Sequence, residues 1–327
     1  MNTADFIQRL PKAELHLHLE GAIPWGMVCE YADGQLAEIP AWWMDDFRYV
    51  DFIHFGTAMR LGIRYVLTSV ELYQAAARAI FESLVEQNVR YVEISFSANL
   101  VLQRELSLDD VVLAIKEAMP DGLNGAVYAA FNRERTHTMD DELVLAVLKS
   151  PADGIDLHGL ETLQSAKPYA GIFELARERG YMTKAHAGEL QGPASIWEAC
   201  QFLKVRRLEH GTRSVEDEVL VKYLADEQIT LDMCPTSNYK LRVVDSISAH
   251  PIRRLLQKGV RVTVNTDDPT YFGCRLTDEL NLLVDQLGFT LPEVAQVEKN
   301  AFEVVRMNDD ARAALLSEVD ALVSELG

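Results

Sequence analysis

Residues 11–22 read PKAELHLHLEGA, and the middle of that stretch alternates: Leu15 and Leu17 fall on one side, His16 and His18 on the other. In an extended chain, successive side chains point to opposite faces. Such a strand presents leucines to an outer layer and two neighbouring imidazoles to an inner one. Taken alone, a His-x-His pair at a strand end has two readings. It holds a metal, or it is a polar pair satisfied by backbone or water.

The rest of the chain supplies the sheet in which that strand sits. Short apolar, β-branched runs recur at 13–18, 89–96, 125–131, 154–157, 182–186, 207–210, 229–233 and 261–265. Between them, stretches such as 69–87, 108–118, 171–179, 194–203, 216–225 and 251–258 repeat apolar residues every three or four positions, the period of a helix with one buried face. Strands alternating with helices in this way predict an α/β chain folded as a TIM-type (β/α)8 barrel, with its active site at the C-terminal ends of the strands. Two regions exceed a minimal barrel. Residues 24–67 form a helical insertion after strand 1, rich in aromatics such as Trp25, Trp42, Trp43, Phe47, Tyr49, Phe52 and Phe55. They read either as a lid over the mouth or as added core. Residues 291–326 read as two extra C-terminal helices. No linker or low-complexity stretch divides the sequence, so 1–327 is expected to be one domain.

Charge narrows the function. With 50 acidic against 31 basic residues, the net charge is −19. That argues against nucleic acid and against anionic membranes, both of which need clustered Lys and Arg. No apolar run approaches the ~20 residues of a membrane helix. The N-terminus has charges where a signal peptide has its apolar core. Cys29, Cys200, Cys234 and Cys274 are widely spaced and read as reduced thiols, which points to the cytoplasm.

The His-x-His pair gains meaning from other strand ends. His186 ends the fifth strand in KAHAGE (184–189), His210 the sixth in LEHGTR (208–213), and Asp267 and Asp268 the eighth in VTVNTDDP (262–269). His54, His137 and His250 fall outside the strands and read as surface or helix residues. Three neutral imidazoles and a carboxylate suit zinc or iron(II) with one position open for water. Such an ion lowers the pKa of its water toward ~7. Glu189, three residues beyond His186, reaches into the mouth as a general acid or base.

These motifs, together with CPTSN at 234–238, resemble the adenosine deaminase family of the metal-dependent amidohydrolase superfamily in order and approximate spacing, from residue 11 to about residue 304. The resemblance implies a distorted barrel, one zinc ion per chain and hydrolytic deamination of a small-molecule purine at C6, a step of purine metabolism. It implies zinc ligation by His16, His18, His186 and Asp267. Glu189 then matches the acid that protonates purine N1, His210 the group that orients the attacking hydroxide, and Asp268 the acid at N7. The run GIDLHGLE (154–161) places Gly159 where the backbone meets N3. The other zinc-deaminase signature, H-x-E followed by P-C-x-x-C, is absent.

Specificity signals conflict. Glu20 follows His18 by two residues and is expected on the same side of the strand. It stands where adenosine deaminases carry an aspartate that contacts the ribose, and a glutamate is commoner in relatives acting on free or modified adenine. CPTSN, NTDDP and LTDEL (276–280) resemble the nucleoside branch instead, while Tyr239-Lys-Leu departs from it and His158 replaces a small residue. The expected reaction is hydrolytic deamination of adenosine, and of deoxyadenosine, to inosine or its deoxy form plus ammonia. The alternatives are deamination of free adenine or of an N6- or 5′-modified adenine and, more distantly, a silent nucleoside-binding relative. A two-metal hydrolase of the same fold is disfavoured, since strand four offers Asp156 and His158 but no lysine.

Overall fold

The computed structural model describes residues 1–135, 137–139 and 141–327. Its strands are β1 (Lys12–His18), β2 (Val89–Ser97), β3 (Asn124–Asn132), β4 (Gly154–His158), β5 (Met182–Thr183), β6 (Ala185–Ala187), β7 (Arg207–His210), β8 (Thr230–Met233) and β9 (Arg261–Val264). All pair in parallel, as a five-stranded sheet β1-β2-β3-β4-β5 and a four-stranded sheet β6-β7-β8-β9. Two seams join them. At one, Leu17 bridges Asp267, with His18 N donating to Asp267 O (3.0 Å) and Asp267 N to His16 O (2.9 Å). At the other, Lys184 N donates to Ile155 O (3.1 Å). The result is the expected (β/α)8 barrel.

The expected fifth strand, 182–186, is split at Lys184 into β5 and β6. There the lysine crosses the interior, and its ammonium donates to Leu15 O (2.9 Å) and pairs with Glu209 (2.9 Å). A buried ammonium needs such partners.

Helices cover the outside because their apolar stripes match the sheet. The helix Val70–Glu86 starts at Ser69, whose hydroxyl accepts from Leu72 N, and buries Tyr73, Ala76, Ala77, Ile80, Phe81 and Leu84. The short helix Leu19–Ala22 follows β1 directly, and the insertion contributes helices Trp25–Tyr31 and Phe52–Val66. Trp25, Tyr49 and Phe55 are buried, and the indoles of Trp42 and Trp43 donate to Thr270 O (3.1 and 2.8 Å). Part of the insertion is thus added core, Trp43 is exposed, and the segment is tied to the chain that follows β9. The two expected terminal helices are Leu291–Val304 and Asp309–Ser324, and the first packs on β9 and β1. Among the described residues no helix is long and apolar enough to cross a membrane.

Candidate active site

The C-terminal ends of the strands open into a cavity of about 270 Å³. Its floor gathers His16, His18, His186, His210 and Asp267, all at least nine-tenths buried. His18 Nε2 lies 3.1 Å from His186 Nε2 and 3.3 Å from Asp267 Oδ1, and His16 Nε2 lies 3.5 Å from the same oxygen. Ligand atoms in a tetrahedron with ~2.0–2.1 Å bonds stand roughly 3.4 Å apart. Two imidazole nitrogens at this distance either share a proton or hold a cation between them, and His16 Nε2 is buried with no hydrogen-bond partner among the described residues.

The outer nitrogens confirm the direction of the inner ones. His16 Nδ1 is hydrogen-bonded to Asp232 O (3.0 Å), and His186 Nδ1 stands at ion-pair distance from Glu209 Oε2 (2.8 Å) without hydrogen-bond alignment. A ligating imidazole donates its far N–H to a carbonyl or carboxylate in this manner. Glu209 itself pairs with Lys184, and Arg207 spans Asp232 (2.7 Å) and Glu93 (3.2 Å) beneath it. Sequence reading did not single out Glu209, Lys184, Arg207 or Asp232. Their signal was the charged residues alternating with apolar ones inside KAHAGE and RLEH and, for Asp232, inside TLDM (230–233).

Two site residues depart from strand geometry. His210 (φ 68°) and Asp267 (φ 65°) both adopt the left-handed backbone that non-glycine residues avoid. On β7, Arg207 and Glu209 lie in the interior, so simple alternation would send His210 outward with Leu208. The left-handed turn brings it in. At Asp267, the two backbone bonds of the Leu17 seam hold the strained conformation, and Ser237 Oγ donates to Oδ2 (2.7 Å).

His210 has a defined tautomer. Asn238 Nδ2 donates to His210 Nδ1 (3.2 Å), because Asn238 Oδ1 already accepts from the Thr212 hydroxyl (2.6 Å) and from His250 Nε2 (3.0 Å). The proton of His210 therefore sits on Nε2, which faces Glu189 Oε1 (3.6 Å) and Asp267 Oδ2 (3.8 Å). Burial, then the neighbouring His16, keep the His210 ring neutral by pushing its pKa well down. His250 was expected at the surface. It is instead buried, its pKa pushed down to about 3 by burial, and it orients Asn238. His137, also expected outside, is buried beside Phe131 and Tyr169. His54 is exposed, as expected.

Glu189 is aimed by its loop. Gly188 (φ 74°) allows the turn, where a Cβ would strike Ile196 at 2.3 Å. The amides of Gly188, Glu189, Leu190 and Gln191 then all donate to the Glu161 carboxylate, at 2.6, 3.2, 2.8 and 2.8 Å. Burial, then the charge of Asp267, hold the Glu189 carboxyl well above the usual carboxylate range. Asp268 is raised in the same way by burial and by Asp267. It lies against the backbone of Gly21, where a Cβ would stand 1.7 Å from its Oδ1.

Glu20 reaches the cavity by a different route from the one expected. It is not the next inward position of β1 but lies on the helical turn Leu19–Ala22, where its Oε1 accepts from Ser97 N (2.8 Å). Gly159 (φ 89°) and His158 line the cavity from the end of β4, and Phe52, Phe55 and Met59 wall it from the insertion.

The family model described as Adenosine deaminase matches residues 11–322. The chain belongs to the adenosine deaminase family. It is 33% identical to an adenine deaminase of Hahella chejuensis, over 97% of this chain and 98% of that one. Among solved structures it resembles an adenine deaminase from Arthrobacter aurescens (TM-score 0.86, 30% identity, covering 96% and 99% of the two chains). It also resembles an amidohydrolase from Burkholderia ambifaria with bound zinc (TM-score 0.87, 26% identity, covering 100% and 95%). The enzyme is thus a hydrolytic purine deaminase of the amidohydrolase superfamily, and its histidine–aspartate cluster fits a divalent metal.

Proposed function

We propose that this enzyme hydrolyses adenine to hypoxanthine and ammonia, with one zinc ion held by His16, His18, His186 and Asp267. The observation that carries the choice of adenine is the likeness, over nearly the whole of both chains, to a protein named adenine deaminase. Adenosine, the substrate favoured by CPTSN and NTDDP, is the weaker reading. There is a physical reason why those motifs misdirect. Ser237 and Asn238 act on Asp267 and His210, beneath the purine ring, where no sugar reaches. The residue that faces the sugar side is Glu20, and it departs from the nucleoside pattern.

A bound zinc ion would acidify a water so that hydroxide is available at neutral pH. The remaining work falls to the chain. Glu189 gives its proton to N1 as oxygen adds to C6, which relieves the negative charge that the ring would otherwise accumulate. His210 donates its Nε2 proton in a hydrogen bond to the oxygen at C6, and its tautomer is already set by Asn238. Asp268 donates to N7 and the Gly159 amide to N3, which fixes the ring so that C6 faces the floor. Glu20 accepts the N9 proton that a free base carries and a nucleoside lacks. Asp267, beside the oxygen at C6, takes the hydroxyl proton and passes it to the amino group. The C6–N bond breaks, ammonia leaves, and the C6 oxygen becomes the carbonyl of hypoxanthine, while Glu189 regains a proton from the next water.

Steady-state kinetics on adenine and adenosine, with metal analysis of the purified enzyme, test this reading. The expected result is about one zinc per chain and a kcat/KM for adenine at least about a hundredfold above adenosine. A preference for adenosine overturns the substrate, and iron in place of zinc overturns the metal.

A further inference from the structure

Two of the motifs in the sequence end on charged residues that take no part in the steps above: GIDLHGLE (154–161) on Glu161 and LEHGTR (208–213) on Arg213. Both side chains reach the loop 188–191, which carries Glu189, and they hold it by opposite kinds of group. Glu161 is 4% exposed and takes the N–H groups. Its Oε1 accepts from Gly188 N and from the Ser195 hydroxyl, and its Oε2 from the amides of Glu189, Leu190 and Gln191. Arg213 takes the carbonyls. Its backbone N donates to Gly188 O (2.8 Å) and its Nη1 to Leu190 O (3.0 Å), while Glu216 holds the rest of the guanidinium at 2.6 and 3.1 Å.

Converging backbone amides make a concave site for an anion, and here the chain fills it with its own carboxylate. Hydrogen bonds to an ionised acceptor are the strong ones, so charge fixes the path of this loop. The Glu189 amide is itself one of the donors, which pins the backbone from which the acid side chain springs. The clamp also ties that acid to its neighbours in the reaction. Glu161 lies two residues beyond Gly159, and Arg213 three residues beyond His210. Proton transfer to N1 needs the carboxyl within hydrogen-bond reach while the other contacts hold the ring. Neither Glu161 nor Arg213 lines the cavity, so neither meets the purine directly.

We propose that Glu161 and Arg213 are a pair of positioning residues that act on the reaction through Glu189 alone, holding its backbone so that the carboxyl meets purine N1 as oxygen adds to C6. The inference rests on Glu189 as the proton donor of the reading above, and it holds for adenine and adenosine alike. Glu161 carries the larger share. Its carboxylate is buried, so no water replaces it when it is lost, whereas the Arg213 side chain is 35% exposed and Leu190 O can turn to solvent.

The test is a double-mutant cycle. Glu161→Gln, Glu161→Asp and Arg213→Ala are each made in the wild type and in Glu189→Gln, and every protein is checked for metal content and thermal melting. In the wild-type background Glu161→Gln should lower kcat roughly tenfold to a hundredfold, because its amide turns an N–H toward donors that the carboxylate accepted from. KM should stay within about twofold, as expected when only the reacting geometry is disturbed. Glu161→Asp keeps the charge and should recover part of the loss, and Arg213→Ala should cost about threefold. In Glu189→Gln each of the same changes should cost less than about twofold, since residues that act as a unit do not add. Losses that multiply equally in both backgrounds overturn the inference, as does an unchanged kcat or a folded Glu161→Gln that has lost its metal. Near-wild-type turnover in Glu189→Gln overturns the proton-donor reading and this inference with it. Glu161→Asp and Arg213→Ala complete the cycle should Glu161→Gln not fold.

Discussion

At the floor of the pocket each side chain facing the reacting carbon is held by another residue, whereas at the rim the side chains that face the substituent stand nearly alone. His16 leans on Asp232 O, His186 on Glu209, His210 on Asn238 and Asp267 on Ser237, while Glu161 gathers the loop of Glu189. Glu20, by contrast, has one anchor, Ser97 N. The contrast matches what each region must do. Chemistry at C6 needs placement within about half an ångström, which takes supporting contacts. Choice among purines needs only one or two groups that differ, and those change without disturbing the floor.

The strongest way to break this contrast is at the floor. Asp267→Ala should lose both the metal and detectable deamination, since it removes a ligand from a site that keeps one position open. Metal analysis of the purified variant decides the matter: full occupancy would show that Asp267 is not a ligand. Glu189→Gln should instead keep the metal while kcat falls roughly 10²–10⁴-fold, because an amide of the same shape cannot deliver a proton to N1. Near-wild-type turnover would remove Glu189 from the proton path.

A third substitution probes the supports rather than the reacting groups. Asn238→Ala removes the donor that holds the proton of His210 on Nε2. The expected loss in kcat is roughly tenfold to a hundredfold, the effect of ~1–3 kcal/mol for an unpaired buried partner. KM should hardly change, because the contact matters as oxygen adds to C6. Asn238→Asp separates tautomer from packing. Its carboxylate accepts from Nδ1, so the proton moves to the wrong nitrogen and turnover should fall at least as far. Recovery in Asn238→Asp would mean that the asparagine merely fills space.

The same contrast explains what could be read in the chain. Strand alternation through His16 and His18, and helical spacing through 69–87, made the barrel legible, because burial enforces a period along the sequence. Strand-end histidines and acids made the floor legible for the same reason. Two things escaped. Left-handed turns at His210 and Asp267 aim their side chains, and no local pattern announces a non-glycine residue with positive φ. His250 lies in a coil segment, and its burial comes from a partner, Asn238, on a different element. At the rim, Glu20 was found through faulty geometry, since a helical turn rather than strand alternation points it inward. On the adenine reading, CPTSN and NTDDP pointed to a nucleoside because their residues support the floor and not the substituent.

The smallest expected effect lies at that rim. Glu20→Gln keeps the size of the side chain and an oxygen that can accept from Ser97 N or from the N9 proton, but it removes the charge. Hydrogen bonds to charged groups are worth ~1.5–3 kcal/mol against ~0.5–1.5 for neutral ones, so the loss on adenine should be about fivefold to tenfold. It should appear in KM with kcat nearly unchanged, the signature of a contact equally strong before and during reaction. Adenosine has no N9 proton to give, so its weak turnover should respond far less. A variant that loses kcat on adenine instead would show Glu20 acting on the floor, and the division between the two regions would not hold. A variant indifferent for both substrates would show that Glu20 does not meet the N9 edge at all.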